Sequence, residues 1–212
     1  RGVRGGERVV FQLPNTADLV IAYMACLKVG AVPVCCLPAH RHAEIGYLAD
    51  FTQAAAWLLP SDFRGFDYVA MAEELRGSLP ALREIIVAGG RVGRGMTLIE
   101  DLLEDAVEER TAPGSLGRLR PRPDDVAVFQ LSGGTTGLPK VIPRTHDDYV
   151  YNSLQFAVVT DFDRESVLLV SIPGEHNFPL ACPGLQGALL LGARVVLAPS
   201  PDPEAVFSLV EA

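Results

Sequence analysis

Short apolar runs alternate with longer segments of helical spacing along the first hundred residues of the chain. Four runs are typical of buried strands, and they cover Arg8–Leu13, Ala31–Leu37, Ala56–Leu59 and Glu84–Ala88. Helical spacing extends from Thr16, a good capping residue, to Val29, and Gly30 follows the predicted end. Two further segments, Arg41–Ala55 and Leu98–Val107, have helical spacing. This alternation predicts a parallel sheet with helices on both faces.

The alternation resumes after a stretch that interrupts it. Residues 111–124 hold three prolines, two glycines and three arginines, a composition typical of a linker. The elements expected beyond it are a strand at 125–130, a helix around 147–159, a strand at 167–172, a helix around 183–191, a strand at 194–198 and a last helix from Pro203. We therefore predict an α/β chain with two doubly wound parallel-sheet lobes, residues 1–117 and 118–212.

The composition narrows the class of protein. Hydrophobic residues make up 49% of the chain and charged residues 21%, as in a globular protein with a core. The net charge of −8 argues against nucleic acid and anionic membranes as partners. The four cysteines have neither metal-ligand spacing nor the pattern of a disulfide framework, and no metal site is expected. Without a signal-peptide pattern or an apolar run long enough to cross a bilayer, a cytoplasmic protein is expected.

Residues 131–140, with the sequence LSGGTTGLPK, carry the clearest chemistry. They follow a predicted strand, and α/β sheets bind ligands at the carboxyl ends of strands. The segment combines hydroxyls, glycines and a lysine, namely Ser132, Gly133, Gly134, Thr135, Thr136, Gly137 and Lys140. Glycines let the backbone approach an anion, the hydroxyls and backbone N–H groups donate to it, and the lysine adds a point charge. We predict that Ser132–Lys140, the phosphate loop, binds a polyphosphate, although its spacing is not that of a Walker A motif.

The pattern Ser-Gly-Gly-Thr-Thr-Gly-x-Pro-Lys resembles the phosphate loop of adenylate-forming enzymes, which include acyl-CoA synthetases, luciferases and nonribosomal adenylation domains. Residues 141–149 resemble the aryl-acid branch, the 2,3-dihydroxybenzoate–AMP and salicylate–AMP ligases that begin siderophore biosynthesis, and residues 12–15 followed by 30–34, together with residues 176–184, agree with it. The similarity covers essentially the whole chain. It implies part of the large N-terminal domain of an adenylate-forming enzyme, without the family's start, the rest of the core domain or the small C-terminal domain.

The resemblance also implies roles for His176–Gly184, the aryl segment. His176 would lie near the substrate carboxylate and the forming acyl phosphate, which makes it a candidate catalytic residue together with Lys140. Asn177 would hydrogen-bond the 2-hydroxyl of the ring, and Phe178 would form an aromatic wall. Cys182 stands where dihydroxybenzoate-type members typically have serine, near the 3-hydroxyl. Because a thiol is a weak hydrogen-bond partner, cysteine favours salicylate over 2,3-dihydroxybenzoate.

The implied reaction is attack of the acid's carboxylate on the α-phosphate of MgATP, giving aryl-AMP and pyrophosphate. The aryl group would then pass to the phosphopantetheine thiol of an aryl or peptidyl carrier protein. In the family, the glutamate that helps to bind magnesium, the aspartate that binds ribose and the catalytic lysine lie beyond the equivalent of Ala212. We therefore expect this chain alone to have little or no adenylation activity.

Three alternatives stay open at this point. An aryl- or acyl-CoA ligase of the same superfamily would use CoA as the acceptor. A non-catalytic nucleotide-binding module would bind ATP without any dependence on an aryl acid. An inactive gene fragment would show poor solubility and no stabilisation by ligands.

Overall fold

The computed structural model describes residues 2–112, 114–133 and 137–211. The strands are β1 (Arg8–Phe11), β2 (Val32–Cys35), β3 (Ala56–Pro60), β4 (Asp62–Phe63), β5 (Phe66–Asp67), β6 (Glu84–Ala88), β7 (Thr97–Leu98), β8 (Val126–Ser132), β9 (Lys140–Thr145), β10 (Val167–Val170) and β11 (Arg194–Leu197). The helices are α1 (Ala17–Val29), α2 (His42–Phe51), α3 (Tyr68–Arg76), α4 (Ile99–Glu104), α5 (Val107–Arg110), α6 (His146–Val159), α7 (Asn177–Ala181), α8 (Gly184–Leu191) and α9 (Pro203–Glu211), with a 3-10 turn at Ser115–Leu119.

A seven-stranded sheet in the order β7-β6-β3-β1-β2-β8-β9 forms the centre of the described residues. All neighbouring pairs are parallel except β8 and β9, which form an antiparallel hairpin at one edge. The predicted α/β class with a mostly parallel sheet is therefore confirmed. Strands from both sides of residue 118 belong to this sheet, and the division into lobes 1–117 and 118–212 stays a prediction.

The central strands are covered on both faces. Successive side chains of a strand point to opposite faces, and in β1 Val9 and Phe11 join one buried cluster while Val10 joins the other. The first cluster packs the sheet against α1, α6, α7 and α8, and the second packs it against α2 and α3. Because both faces are covered, ligands reach the sheet at the ends of its strands.

Several predicted helices are confirmed, with altered ends. Helix α1 begins after Thr16 and ends at Val29, where Gly30 takes the left-handed conformation (φ 72°) that an L side chain rarely adopts. The helix predicted over 98–107 is two short helices, α4 and α5, which are separated at Asp105 and Ala106. Strand β9 and helices α3 and α7 were not predicted.

Strands β10 and β11 form a separate two-stranded parallel sheet, connected through α7 and α8. The predicted burial of Cys26, Cys35 and Cys36 as small apolar side chains is confirmed. Among the residues that the structure describes, no helix has both the length and the apolar character required to span a bilayer.

Candidate functional site

The phosphate loop closes the β8–β9 hairpin at the edge of the sheet. Ser132, the last residue of β8, is paired with Lys140, the first residue of β9. Gly133, Gly137 and Lys140 are exposed, and Gly137 has a φ of 139°. Within the described ranges Lys140 forms no ion pair, so its charge is available to an anion. The predicted ligands Gly134, Thr135 and Thr136 lie outside the described residues.

The first half of the aryl segment forms the short helix α7. His176 is the N-cap of α7, and its Nδ1 accepts a hydrogen bond from the backbone N–H of Phe178 at 3.4 Å. Gly184 ends the segment with a φ of 63°, and a Cβ there would lie 2.5 Å from the carbonyl oxygen of Pro179. The turn between α7 and α8 therefore requires glycine. The peptide bond between Cys182 and Pro183 is cis.

Asn177 is held by two donors from the strand and helix that follow the phosphate loop. The hydroxyl of Tyr149 donates to Asn177 Oδ1 at 2.8 Å, and Arg144 Nη1 donates to the same oxygen at 3.3 Å. Tyr149 is buried, with 1% of its surface exposed, and its contact with Asn177 is partly buried. The side-chain oxygen of Asn177 is consequently occupied by protein donors.

Arg144 is fixed from two sides. Its guanidinium forms a two-bonded ion pair with Asp148, in the first turn of α6, and lies 4.8 Å from the centre of the Tyr149 ring. The hydrogen bonds to Asp148, together with its charge, raise the pKa of Arg144 despite partial burial. The guanidinium is therefore a permanent donor beside Asn177.

A second pair of contacts holds the end of α7. Asn152 Nδ2 donates to the carbonyl oxygen of Ala181 at 2.7 Å and lies 3.5 Å from Cys182 Sγ. The buried hydroxyl of Ser153 donates to the same carbonyl at 3.3 Å. Asn177 Nδ2 lies 3.7 Å from Cys182 Sγ. The thiol thus faces two amide groups at the rim of the segment.

Asn15 connects the aryl segment to the start of the chain. Its Nδ2 lies within hydrogen-bonding distance of the carbonyl oxygens of Val170 and Ile172, at 3.2 and 3.0 Å. Its Oδ1 accepts from the backbone N–H of Gly174 at 2.8 Å. One amide side chain therefore joins the loop after β1 to the chain that leads into His176.

Glu175 is a buried carboxyl directly before the aryl segment. It is 1% exposed, and within the described residues neither carboxylate oxygen has a hydrogen-bond partner of good geometry. Burial raises its pKa to about 8, although the backbone N–H groups of Glu175 and Leu13 partly oppose this effect. Its own carbonyl oxygen accepts from Gln130 Nε2 of β8 at 3.1 Å. The segment is thus attached to the strand that leads into the phosphate loop.

The structure brings Asn177 and Cys182 together and leaves His176 and Phe178 exposed beside them, Phe178 at 59%. Lys140 is the first and Arg144 the penultimate residue of β9, a separation of roughly 13 Å at the usual rise per residue. The supporting residues Tyr149, Asn152 and Ser153 are not among the candidates predicted from the sequence. Their spacing of three and four along a helix, which places them on one face, was the available signal.

Known proteins resemble this chain along its whole length. All 212 residues match the family described as AMP-binding enzyme. The chain is 45% identical over 211 residues to a salicylyl-CoA synthase / salicylate adenylyltransferase of Streptomyces, covering 100% of this chain and 38% of that protein. It is 42% identical to the 2,3-dihydroxybenzoate-AMP ligase of Bacillus subtilis, covering 99% of this chain and 37% of the relative.

The salicyl-AMP ligase / salicyl-S-ArCP synthetase of Mycobacterium tuberculosis is also 42% identical, with coverage of 99% and 36%. Among solved structures, apo MbtA of Mycobacterium smegmatis matches with a TM-score of 0.87 and 41% identity, over 99% of this chain and 37% of that one. The chain therefore spans 36–38% of the length of the relatives that it matches.

Proposed function

The chain belongs to the AMP-binding enzyme family, and on that premise we propose that it supplies the phosphate loop and the acid pocket of an aryl-acid adenylating enzyme. The observation that carries this proposal is the convergence of Tyr149, Arg144 and Asn152 on the amide of Asn177 and the thiol of Cys182. A pocket whose polar groups are fixed in this way suits a small, rigid aromatic acid.

The proposed reaction joins ATP to the acid. An oxygen of the aryl carboxylate attacks the α-phosphorus, and the bond from that phosphorus to the bridging oxygen of pyrophosphate breaks. The products are aryl-AMP and pyrophosphate. The phosphate loop would hold the β- and γ-phosphates, and the charge of Lys140 would stabilise the negative charge that gathers on the leaving pyrophosphate. The protein thus contributes positioning and electrostatic stabilisation.

His176 and Phe178 would position the acid. Because His176 Nδ1 accepts a hydrogen bond, the proton of the neutral ring is on Nε2, which is then free to donate to an anionic oxygen. The exposed ring of Phe178 provides an apolar face for the benzene ring of the substrate. Asn177 would meet the 2-hydroxyl group.

Cys182 makes salicylate the proposed acid. Its sulfur already faces the amide groups of Asn152 and Asn177, and a thiol is a poor partner for a third polar group. A buried 3-hydroxyl of 2,3-dihydroxybenzoate would lack a good partner, at a cost of roughly 1–3 kcal/mol. Relatives with either acid in their names have similar identities, so the preference rests on this side chain.

Magnesium would accompany ATP, as its usual counter-ion at a phosphate site. Within residues 2–112, 114–133 and 137–211, no group of three His, Cys, Asp or Glu side chains is arranged to hold a metal ion. No magnesium ligand is therefore assigned within these ranges.

The acceptor of the aryl group is proposed to be a carrier-protein thiol in cytoplasmic siderophore biosynthesis by nonribosomal peptide synthesis. The name salicyl-S-ArCP synthetase of one relative supports this acceptor. CoA is the second candidate, since another relative is named as a salicylyl-CoA synthase. In both cases the thiolate would attack the acyl carbon and AMP would leave.

The test is to incubate the full-length protein that carries this chain with MgATP, salicylate and either a pantetheinylated carrier protein or CoA. Mass spectrometry should detect salicyl-AMP first and then the carrier thioester. Formation of a CoA thioester alone would show that CoA is the acceptor in place of a carrier protein. The proposed adenylation would still stand. ATP binding without any acyl-adenylate would favour the non-catalytic module. The isolated 212-residue chain is expected to form little or no product.

A further inference from the structure

The orientation of the Asn177 amide can be read from its neighbours. Amide oxygen and nitrogen are assigned from the hydrogen-bond network, and an arginine has donors only. The atom that faces Arg144 Nη1 at 3.3 Å must therefore be the oxygen. The hydroxyl of Tyr149, 2.8 Å from the same atom, is also able to donate. A carbonyl oxygen accepts about two hydrogen bonds, so both donors together saturate Asn177 Oδ1.

The nitrogen of the amide is left for a ligand. The described partner of Asn177 Nδ2 is Cys182 Sγ at 3.7 Å, and sulfur is a weak acceptor. Asn177 can therefore donate to a ligand but has no lone pair left with which to accept. A free amide can both donate and accept hydrogen bonds, but the protein's own donors occupy the acceptor oxygen of Asn177.

The two residues that support this orientation have contacts of their own. Tyr149 is buried, and the Arg144 guanidinium lies over its ring, 4.8 Å from the ring centre. The ion pair with Asp148 fixes the guanidinium on its other side. Reversing the amide would place its NH2 group against the guanidinium donors, and the buried Tyr149 hydroxyl would lose its acceptor. The two supports thus act through Asn177.

We infer that Tyr149 and Arg144 are positioning residues that make the pocket selective for an ortho substituent that accepts a hydrogen bond, and against one that only donates. The inference rests on the proposed function, in which Asn177 meets the ortho group of an aryl acid. Salicylate fits because its hydroxyl proton is drawn to its own carboxylate, which leaves an oxygen lone pair for Asn177 Nδ2. Anthranilate does not fit, because its amine lone pair is delocalised into the ring and its N–H groups would face the N–H groups of Asn177.

The test compares three acids on the full-length protein by ATP–pyrophosphate exchange: salicylate, anthranilate and benzoate. Wild-type kcat/KM should favour salicylate over anthranilate by about a hundredfold, the upper range for leaving one buried donor without a partner. In Tyr149→Phe and Arg144→Met that ratio should fall at least about tenfold, mainly through a higher KM for salicylate. Benzoate has no ortho group, and its KM should stay within about twofold of wild type.

The matched control is Tyr151→Phe, on the same helix, where the side chain is 67% exposed and makes no described hydrogen bond. It should leave all three KM values and the ratio unchanged. Thermal unfolding of each variant shows whether the fold survives. If Tyr149→Phe does not fold, the ratio of kcat/KM for salicylate to that for anthranilate, measured in wild type and in Arg144→Met, still tests the inference.

Equal use of salicylate and anthranilate by the wild-type protein would overturn the inference while the proposed function stands. Equal increases in the KM of salicylate and benzoate in the variants would also overturn it, because they would show a general structural role. Absence of exchange with every aryl acid would instead contradict the proposed function itself.

Discussion

The phosphate loop and the aryl segment are joined through β9, and the chain supports them by different means. In the described residues, the side chains of Ser132 and Lys140 form no hydrogen bond or ion pair with the rest of the protein. The aryl segment is held by side chains that are distant in sequence, among them Tyr149 and Arg144, 28 and 33 positions from Asn177. An anion-binding loop uses backbone groups and one charge, whereas recognition of an aromatic acid requires polar atoms that are fixed by their surroundings.

The largest expected effect comes from a substitution in the phosphate loop that leaves the aryl segment intact. Lys140→Ala in the full-length protein should lower kcat for pyrophosphate exchange by about a hundredfold to a thousandfold, because a charge at the leaving group is lost. The KM for salicylate should change by less than about twofold, since the aryl segment keeps its supports. Steady-state kinetics with ATP and salicylate varied in turn provides the measurement.

The chain's other lysine, Lys28, supplies the matched control for this variant. It is exposed in the last turn of α1, and Lys28→Ala should leave both kinetic constants unchanged. An equal loss in Lys28→Ala, or a large rise in the KM for salicylate in Lys140→Ala, would contradict the assignment of Lys140 to the phosphates alone.

The next effect concerns the stability of the aryl segment. The pKa of Glu175 is raised from 4.5 to about 8 in the fold, so the folded state holds a proton that the unfolded state releases. The stability that protonated Glu175 contributes to the fold is fully present below pH 4.5 and is lost as the pH rises through about 8. Glu175→Gln should therefore increase the free energy of unfolding by roughly 3–5 kcal/mol at pH 9, and by almost nothing at pH 4.

Urea unfolding of wild type and variant across this pH range tests the prediction through the difference between the two curves. Glu104→Gln, at an exposed position of α4, should show no comparable difference. A constant difference at every pH would mean that packing, and not ionisation of Glu175, distinguishes the variant.

The smallest expected effect concerns which of the two acids the aryl segment selects. Cys182→Ser replaces a weak hydrogen-bond partner by a good one, so kcat/KM for 2,3-dihydroxybenzoate relative to salicylate should rise about tenfold. Cys182→Ala, which offers no partner, should leave the ratio close to wild type. Competition between the two acids in one exchange reaction measures the ratio directly, and an unchanged ratio in Cys182→Ser would show that this position does not select the acid.

The difference between the two regions also explains what the sequence could predict. The phosphate loop and the alternation of strands and helices are local patterns, and the α/β fold followed from them. Strand β9 was missed because Lys140–Thr145 has no clear apolar alternation and contains Pro143, which is tolerated at a sheet edge.

The supports of the aryl segment could not be predicted in the same way. Glu175 stands beside a His-Asn pair and has the character of a polar loop residue in sequence, yet the fold buries its carboxyl. The contact between Tyr149 and Asn177 depends on the packing of α6 against α7. A sequence pattern reveals the chemistry of Asn177, but only the tertiary structure shows which end of its amide is free.

We propose that the phosphate loop and the aryl segment form the two halves of one adenylation site. Pyrophosphate exchange by the full-length protein, measured with and without salicylate, tests it most directly. We expect exchange that requires salicylate, falls at least about tenfold in Asn177→Ala through KM for the acid, and falls in Lys140→Ala through kcat. Exchange that is equally fast without an aryl acid, or that is insensitive to both substitutions, would contradict it.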